Sequence, residues 1–135
     1  MVKIQSKIGS LREFTIGKST STKAHTVVFL RHGESIWNLE KRFTGWCDVP
    51  LTEVGEADAL DAGQLIGNRG LAFDVAFTSN LERAWRSCAL LLSAAGQSNV
   101  ETIRSWRLNE RHYGLLQGHL KNSNDLIETF GEEQL

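Results

Sequence analysis

Apolar positions along the chain fall into short runs separated by polar breaks. The run from His25 to Leu30 (HTVVFL) is β-branched and brief, the pattern of a buried strand, and it leads straight into Arg31-His32-Gly33-Glu34. Residues 38–50 read as loop, with Gly45 and Pro50 as breakers. Thr52 is placed to cap a helix from Glu53 to Asn68, with Gly70 as its stop. Ala57, Leu60, Gln64 and Leu65 are its expected inner stripe. Phe73–Thr78 (FDVAFT) reads as a second strand. Ser79-Asn80-Leu81-Glu82 fits a capping box for a helix from Leu81 to Ala95, ended by Gly96. Val100–Ile103 gives a third strand, 106–118 a charged loop, and 122–130 a last short helix.

Strand, helix, strand, helix, strand is an α/β pattern, for which a parallel sheet with flanking helices is expected. Ligands of such sheets bind beyond the carboxyl ends of the strands. Two polar clusters stand at those ends: Arg31-His32-Gly33 after the first strand, and Ser79 to Arg83 after the second.

Composition narrows the function classes. With 41% apolar and 23% charged residues, the 135-residue chain has the balance of an ordinary globular domain. Its longest apolar run, Cys88–Ala95, falls well short of the ~18 residues a membrane helix needs, so no membrane association is expected. The net charge of −1 is uneven. Residues 1–24 hold five Lys/Arg against Glu13 alone, and the remainder holds ten against fifteen acids. An acidic body argues against nucleic-acid binding by bulk charge, so any anion site must be a local cluster. The basic, Ser/Thr-rich segment 1–24 reads as a tail or as an organelle transit segment, and residues 25–135 as the globular body. Cys47 and Cys88 have neither disulfide-framework nor metal-ligand spacing, which suits reduced thiols in a cytoplasmic protein. A mitochondrial or plastid address is the alternative if 1–24 is a transit segment. His25, His32, His112 and His119 show no metal-ligand spacing either, and no metal is expected.

His32 is the first chemical candidate. A neutral histidine can attack phosphorus and carry the group covalently, and neighbouring cations favour the neutral ring. Arg31 and Arg83 supply forked guanidinium donors suited to phosphoryl oxygens. Arg83 also sits in the first turn of its helix, where the amides already favour anions. Gly33 would let the backbone approach a phosphate closely. Arg86, one turn on, reads as a solvated partner, and His112 as a site wall or packing residue.

The segments VVFLRHGESIWN, FTGWCDVPLTEVG, FTSNLERAWRS and SWRLNERHYGLLQG resemble the cofactor-dependent phosphoglycerate mutases of the histidine phosphatase superfamily. RHGE is common to the superfamily, whereas FTGW with CDVPLT, and NERHYG with LLQG, are far more specific to the mutases. The resemblance makes His32 the phosphorylated histidine, and Arg31 and Arg83 its phosphate-holding arginines. It makes Glu110 the general acid/base. Asn38, Thr44, Gly45, Arg111, Tyr113 and Lys121 correspond to substrate-binding positions. The implied reaction is the interconversion of 3-phosphoglycerate and 2-phosphoglycerate, an isomerase step of glycolysis and gluconeogenesis. It is primed by 2,3-bisphosphoglycerate, with a small phosphorylated carboxylate as the partner molecule.

Family chains are much longer, and they carry a second catalytic histidine in a His-Gly-Asn context that is not found here. The chain thus reads as the N-terminal part of such a domain, with an incomplete sheet, an open edge at Thr26–Leu30 and impaired turnover. Two alternatives stay open: a phosphatase or bisphosphatase of the same superfamily, and a non-catalytic interaction protein derived from a mutase. Oligomeric state is left open, a homo-oligomer of the full-length form included.

Overall fold

The computed structural model describes residues 25–122 and the backbone of Arg12–Glu13. The expected helix at 122–130 lies almost wholly outside the described residues. The chain divides into two compact units, residues 1–31 and residues 32–135. Composition alone puts its boundary earlier, between residues 24 and 25.

In the first unit, β1 (Arg12–Glu13) pairs antiparallel with β2 (Val28–Phe29), Arg12 opposite Phe29. The strand expected from His25 to Leu30 is thus shorter, and its edge is met by a segment with no strand pattern of its own. Strand pairing uses main-chain donors and acceptors, which every non-proline residue carries.

The second unit begins with a short helix, α1 (Ile36–Leu39), inside the stretch read from sequence mostly as loop. Ser35 and Asn38 form a reciprocal capping box that satisfies its first amides. Then come α2 (Glu53–Asn68), β3 (Val75–Thr78), α3 (Glu82–Ala94) and β4 (Glu101–Arg104). Single 3-10 turns follow at Trp106–Leu108 and Gly114–Leu116. β3 and β4 pair in parallel, with Phe77 opposite Ile103, giving the expected α/β architecture with a parallel sheet. Phe77 nevertheless stays 63% exposed, and Val75 and Ile103 on the same face are exposed as well.

α2 has the bounds that its caps predict. The Thr52 hydroxyl accepts from the Gly55 amide, and Gly70 turns the chain out of the helix at φ +65°. Its inner face is not the expected one. Ala57, Leu60 and Gln64 are exposed and Leu65 is half-buried, whereas Gly55, Ala59, Ala62, Gly63 and Ile66 are buried. The reason is close packing against α3. A Cβ on Gly63 would fall on the Leu91 carbonyl oxygen and on the Ala94 side chain. Small residues therefore line the contact, and Ile66, Leu91 and Leu92 fill the core around it.

α3 starts one residue later than expected, and without the Ser79–Glu82 box. Leu81 is its cap residue and makes no side-chain cap bond, while the Ser79 hydroxyl accepts from the Leu81 amide. Asp48 replaces the local cap from 34 residues away, its carboxylate accepting from the Glu82 amide at 2.6 Å. Arg86 pairs with Glu56 of α2 at 2.9 Å, the solvated partnership expected of it.

Cys88, on α3, is half-buried. Burial raises its thiol pKa, against a hydrogen bond with Thr102 and the charge of Arg104. The folded thiol thus holds its proton more tightly than the unfolded one, so its contribution to stability is full below the unfolded pKa and is lost as pH rises through the folded value. We expect Cys88 to alkylate more slowly at pH 8 than in the urea-unfolded chain, as peptide mapping after iodoacetamide would reveal. Equal rates would refute this. Among the described residues, no helix is long and apolar enough to cross a membrane.

Candidate active site

Three restraints hold the backbone that carries His32. The Gly33 amide donates to the Ser87 hydroxyl of α3 at 3.0 Å. The Thr52 amide donates to the Glu34 carbonyl at 2.9 Å, and the Thr52 hydroxyl to the Glu34 carboxylate at 2.9 Å. Gly33 also lies directly against the α2 backbone, where a Cβ would fall on the Gly55 carbonyl. The missing side chain of Gly33 is therefore required by α2 packing, a tighter demand than the expected approach to phosphate. Gly33→Ala should destabilise by about 1–3 kcal/mol or more, the usual cost of overpacking. A chemical-denaturation midpoint equal to that of the parent chain would contradict it.

The His32 ring has a defined orientation. Its Nδ1 lies 2.6 Å from the Gly33 carbonyl oxygen, which can only accept. In the neutral ring, Nδ1 thus carries the proton and Nε2 the lone pair. That is the tautomer a nitrogen nucleophile needs.

Arg83 is 2% exposed. Its guanidinium donates to the Gly45 carbonyl at 2.8 Å and the Cys47 carbonyl at 3.0 Å. Burial lowers its pKa, while Glu110, Asp48 and Cys47 raise it electrostatically. The group stays a cation with five N–H donors, two of which bind these carbonyls. An ion pair with Glu82 does not form; Arg83 turns into the Thr44–Cys47 loop instead.

That loop joins most of the other candidates. Thr44 is buried, and its carbonyl accepts from the Cys47 amide. Gly45 has φ +55°, and a Cβ there would collide with Gln117. The Trp46 amide donates to the Gln117 side-chain oxygen, and the Trp46 indole to the Glu110 carbonyl at 2.7 Å. Trp46 also meets His112 edge-on, centroids 5.6 Å apart, which makes His112 a packing partner. Tyr113 lies beside Phe43 at 5.2 Å, and the Arg111 guanidinium sits over the Tyr113 ring at 4.6 Å. Hydrogen bonding to Tyr113 raises the Arg111 pKa. The Asn80 amide donates to the Asn109 side chain, tying the end of β3 to the segment preceding Glu110.

The remaining candidates differ. The Asn38 amide oxygen is engaged in the α1 cap. The Lys121 amide donates to the Lys41 carbonyl, and its ammonium lies 5.8 Å from the Phe43 ring centre. Arg31 is exposed and closes the first unit, immediately before His32 in the chain. Among the described residues, no group of three or more His, Cys, Asp or Glu is placed to hold a metal ion.

Sequence reasoning missed Ser87, Asp48 and Gln117. Ser87 could have been found, since it lies four residues after Arg83 and so shares its helix face. Asp48 and Gln117 act across 34 and 71 residues, and nothing local marks them.

Comparison with known proteins fits this arrangement. The chain is similar to the 2,3-bisphosphoglycerate-dependent phosphoglycerate mutase of Streptococcus pyogenes (serotype M5, strain Manfredo), with 55% identity over 109 residues. The match covers 81% of this chain and 46% of that protein, so the chain spans about half the length of the curated relatives it matches. Among solved structures, a phosphoglycerate mutase from Bacillus anthracis superposes with TM-score 0.62 at 26% identity, covering 76% of this chain and 51% of the other. A mycobacterial glucosyl-3-phosphoglycerate phosphatase, solved as its complex with VO3, gives TM-score 0.62 at 26% identity, covering 76% and 46%. Matched by the family's sequence model from residue 27 to residue 133, the chain belongs to the histidine phosphatase superfamily, branch 1.

Proposed function

We propose that this chain carries the phosphohistidine half of a 2,3-bisphosphoglycerate-dependent phosphoglycerate mutase active site. The observation that carries the reading is the joining of mutase-specific segments around Arg83: its guanidinium binds the Gly45 and Cys47 carbonyls, and Trp46 binds the Glu110 carbonyl. The 55% identity with a named mutase supports the same choice.

In this reading His32 Nε2 accepts the phosphoryl group, which 2,3-bisphosphoglycerate supplies. Arg83 and Arg31 bind its oxygens, and Glu110 moves the substrate hydroxyl proton. Thr44, Gly45, Asn38, Arg111, Tyr113 and Lys121 bind the rest of the phosphoglycerate. The donor set suits such a ligand. Arg83 keeps N–H groups beyond the two bound to carbonyls, and phosphoryl transfer is catalysed mainly by positioning and electrostatic stabilisation. A glycolytic role in the cytoplasm follows from the same reading.

The test is to incubate the chain with 2,3-bisphosphoglycerate labelled in its phosphoryl groups. Acid-labile label retained on histidine, and passed to 3-phosphoglycerate, is the expected result. The phosphatase reading is favoured by the likeness to the mycobacterial phosphatase, and it expects release of inorganic phosphate with none passed on. No label and no release would overturn both.

A further inference from the structure

We infer that Ser87 is a positioning residue for phosphoryl transfer, its hydroxyl setting the His32 ring in register with Arg83. The inference rests on the reading that His32 and Arg83 serve one phosphoryl group. Three hydrogen bonds link four residues, Arg83, Ser87, Gly33 and His32. The Ser87 hydroxyl donates to the Arg83 carbonyl at 2.7 Å. It accepts from the Gly33 amide at 3.0 Å. The Gly33 carbonyl faces His32 Nδ1 at 2.6 Å. One small side chain therefore connects the backbone of the arginine to the ring of the histidine.

The placement is restrictive. Ser87 is 2% exposed, so water does not compete for its hydroxyl. Its proton points back along α3 to the carbonyl four residues earlier, which leaves its lone pairs for the Gly33 amide. Gly33 is blocked on its other side by the Gly55 backbone. The peptide bearing the ring is thus held between two helices: α2 stops it by contact, and α3 restrains it through Ser87. Arg83 has its own clamp, the Gly45 and Cys47 carbonyls, which does not involve Ser87. Removing the hydroxyl frees the histidine side of the pair and leaves the arginine side in place.

That asymmetry gives the test. Inorganic phosphate needs the cation, whereas vanadate adopts an in-line five-coordinate geometry when a histidine nitrogen completes its shell, and so needs both groups at once. Both anions would be titrated into the full chain and its Ser87→Ala and Ser87→Thr variants, with Gly33 amide exchange followed by NMR in the absence of anion. For Ser87→Ala we expect vanadate to bind roughly 10- to 100-fold more weakly, the scale of a misplaced reacting group, and phosphate to change by less than about threefold. Gly33 exchange should accelerate. Ser87→Thr keeps the hydroxyl and should restore vanadate binding. Equal weakening of both anions would mean a merely structural serine, and unchanged vanadate binding would also overturn the inference. A parent chain that bound neither anion would overturn the phosphoryl-transfer reading itself. The Ser87 link would then be judged on Gly33 exchange, and an unchanged rate would dismiss it.

Discussion

Replacing His32 by alanine is expected to abolish labelling of the chain by 2,3-bisphosphoglycerate. The Gly33 carbonyl favours the proton on Nδ1, and in the proposed reading Nε2 is the attacking atom. Loss of a nucleophile that works as part of a unit removes most of the catalytic advantage, on the order of 10⁶ in the best-measured hydrolase case. His32→Gln sharpens the test: its side-chain amide can still donate to the Gly33 carbonyl, but it has no nucleophilic nitrogen. Both variants should stay at background in phosphohistidine detection while folding normally by circular dichroism. Undiminished label in either one would show that the acceptor lies elsewhere.

Arg83→Ala should damage stability and binding together. The guanidinium is almost wholly enclosed, and it supplies the donors for the Gly45 and Cys47 carbonyls. Hydrogen bonds to a charged group contribute about 1.5–3 kcal/mol each, so losing two should cost about 3 kcal/mol or more, read as a lower denaturation midpoint. Anion binding should disappear with the cation. Arg83→Lys separates the two effects. A lysine keeps the charge but has no planar fork to span two carbonyls. It should recover part of the stability while phosphate binding stays at least about tenfold weaker, a gap of ~1.4 kcal/mol. Stability equal to the parent chain in Arg83→Ala would mean that the two carbonyls need no side-chain donor.

Local signals in the sequence located the two long helices, α2 and α3, but not α1. Thr52 and Gly70 bracket α2 because an oxygen acceptor at the start and a left-handed residue after the end act within one turn. The strands before the two polar clusters were legible for the same reason: β-branched runs limit the local backbone. The sequence also suggested the chemistry proposed here. RHGE after a strand and an arginine in a first helical turn point to a bound anion by general electrostatics. The choice of Glu110 among many acids rested on resemblance alone.

Tertiary structure decided the rest. It put Ala59, Ala62 and Gly63 inside α2 rather than Ala57, Leu60 and Gln64, because two helices in close contact select small residues, not the most apolar ones. It capped α3 with Asp48 instead of Ser79. It directed Arg83 to two carbonyls of the Thr44–Cys47 loop, and it joined the His32 loop to α3 through Ser87. Each of these is a contact between atoms far apart in sequence, with separations of 34 to 54 residues where hydrogen bonds are concerned. Sequence determined which groups were available and which local backbone they favoured. Which group met which followed from packing, because a hydrogen bond or a backbone contact is satisfied only by the atom that the assembled fold brings within reach.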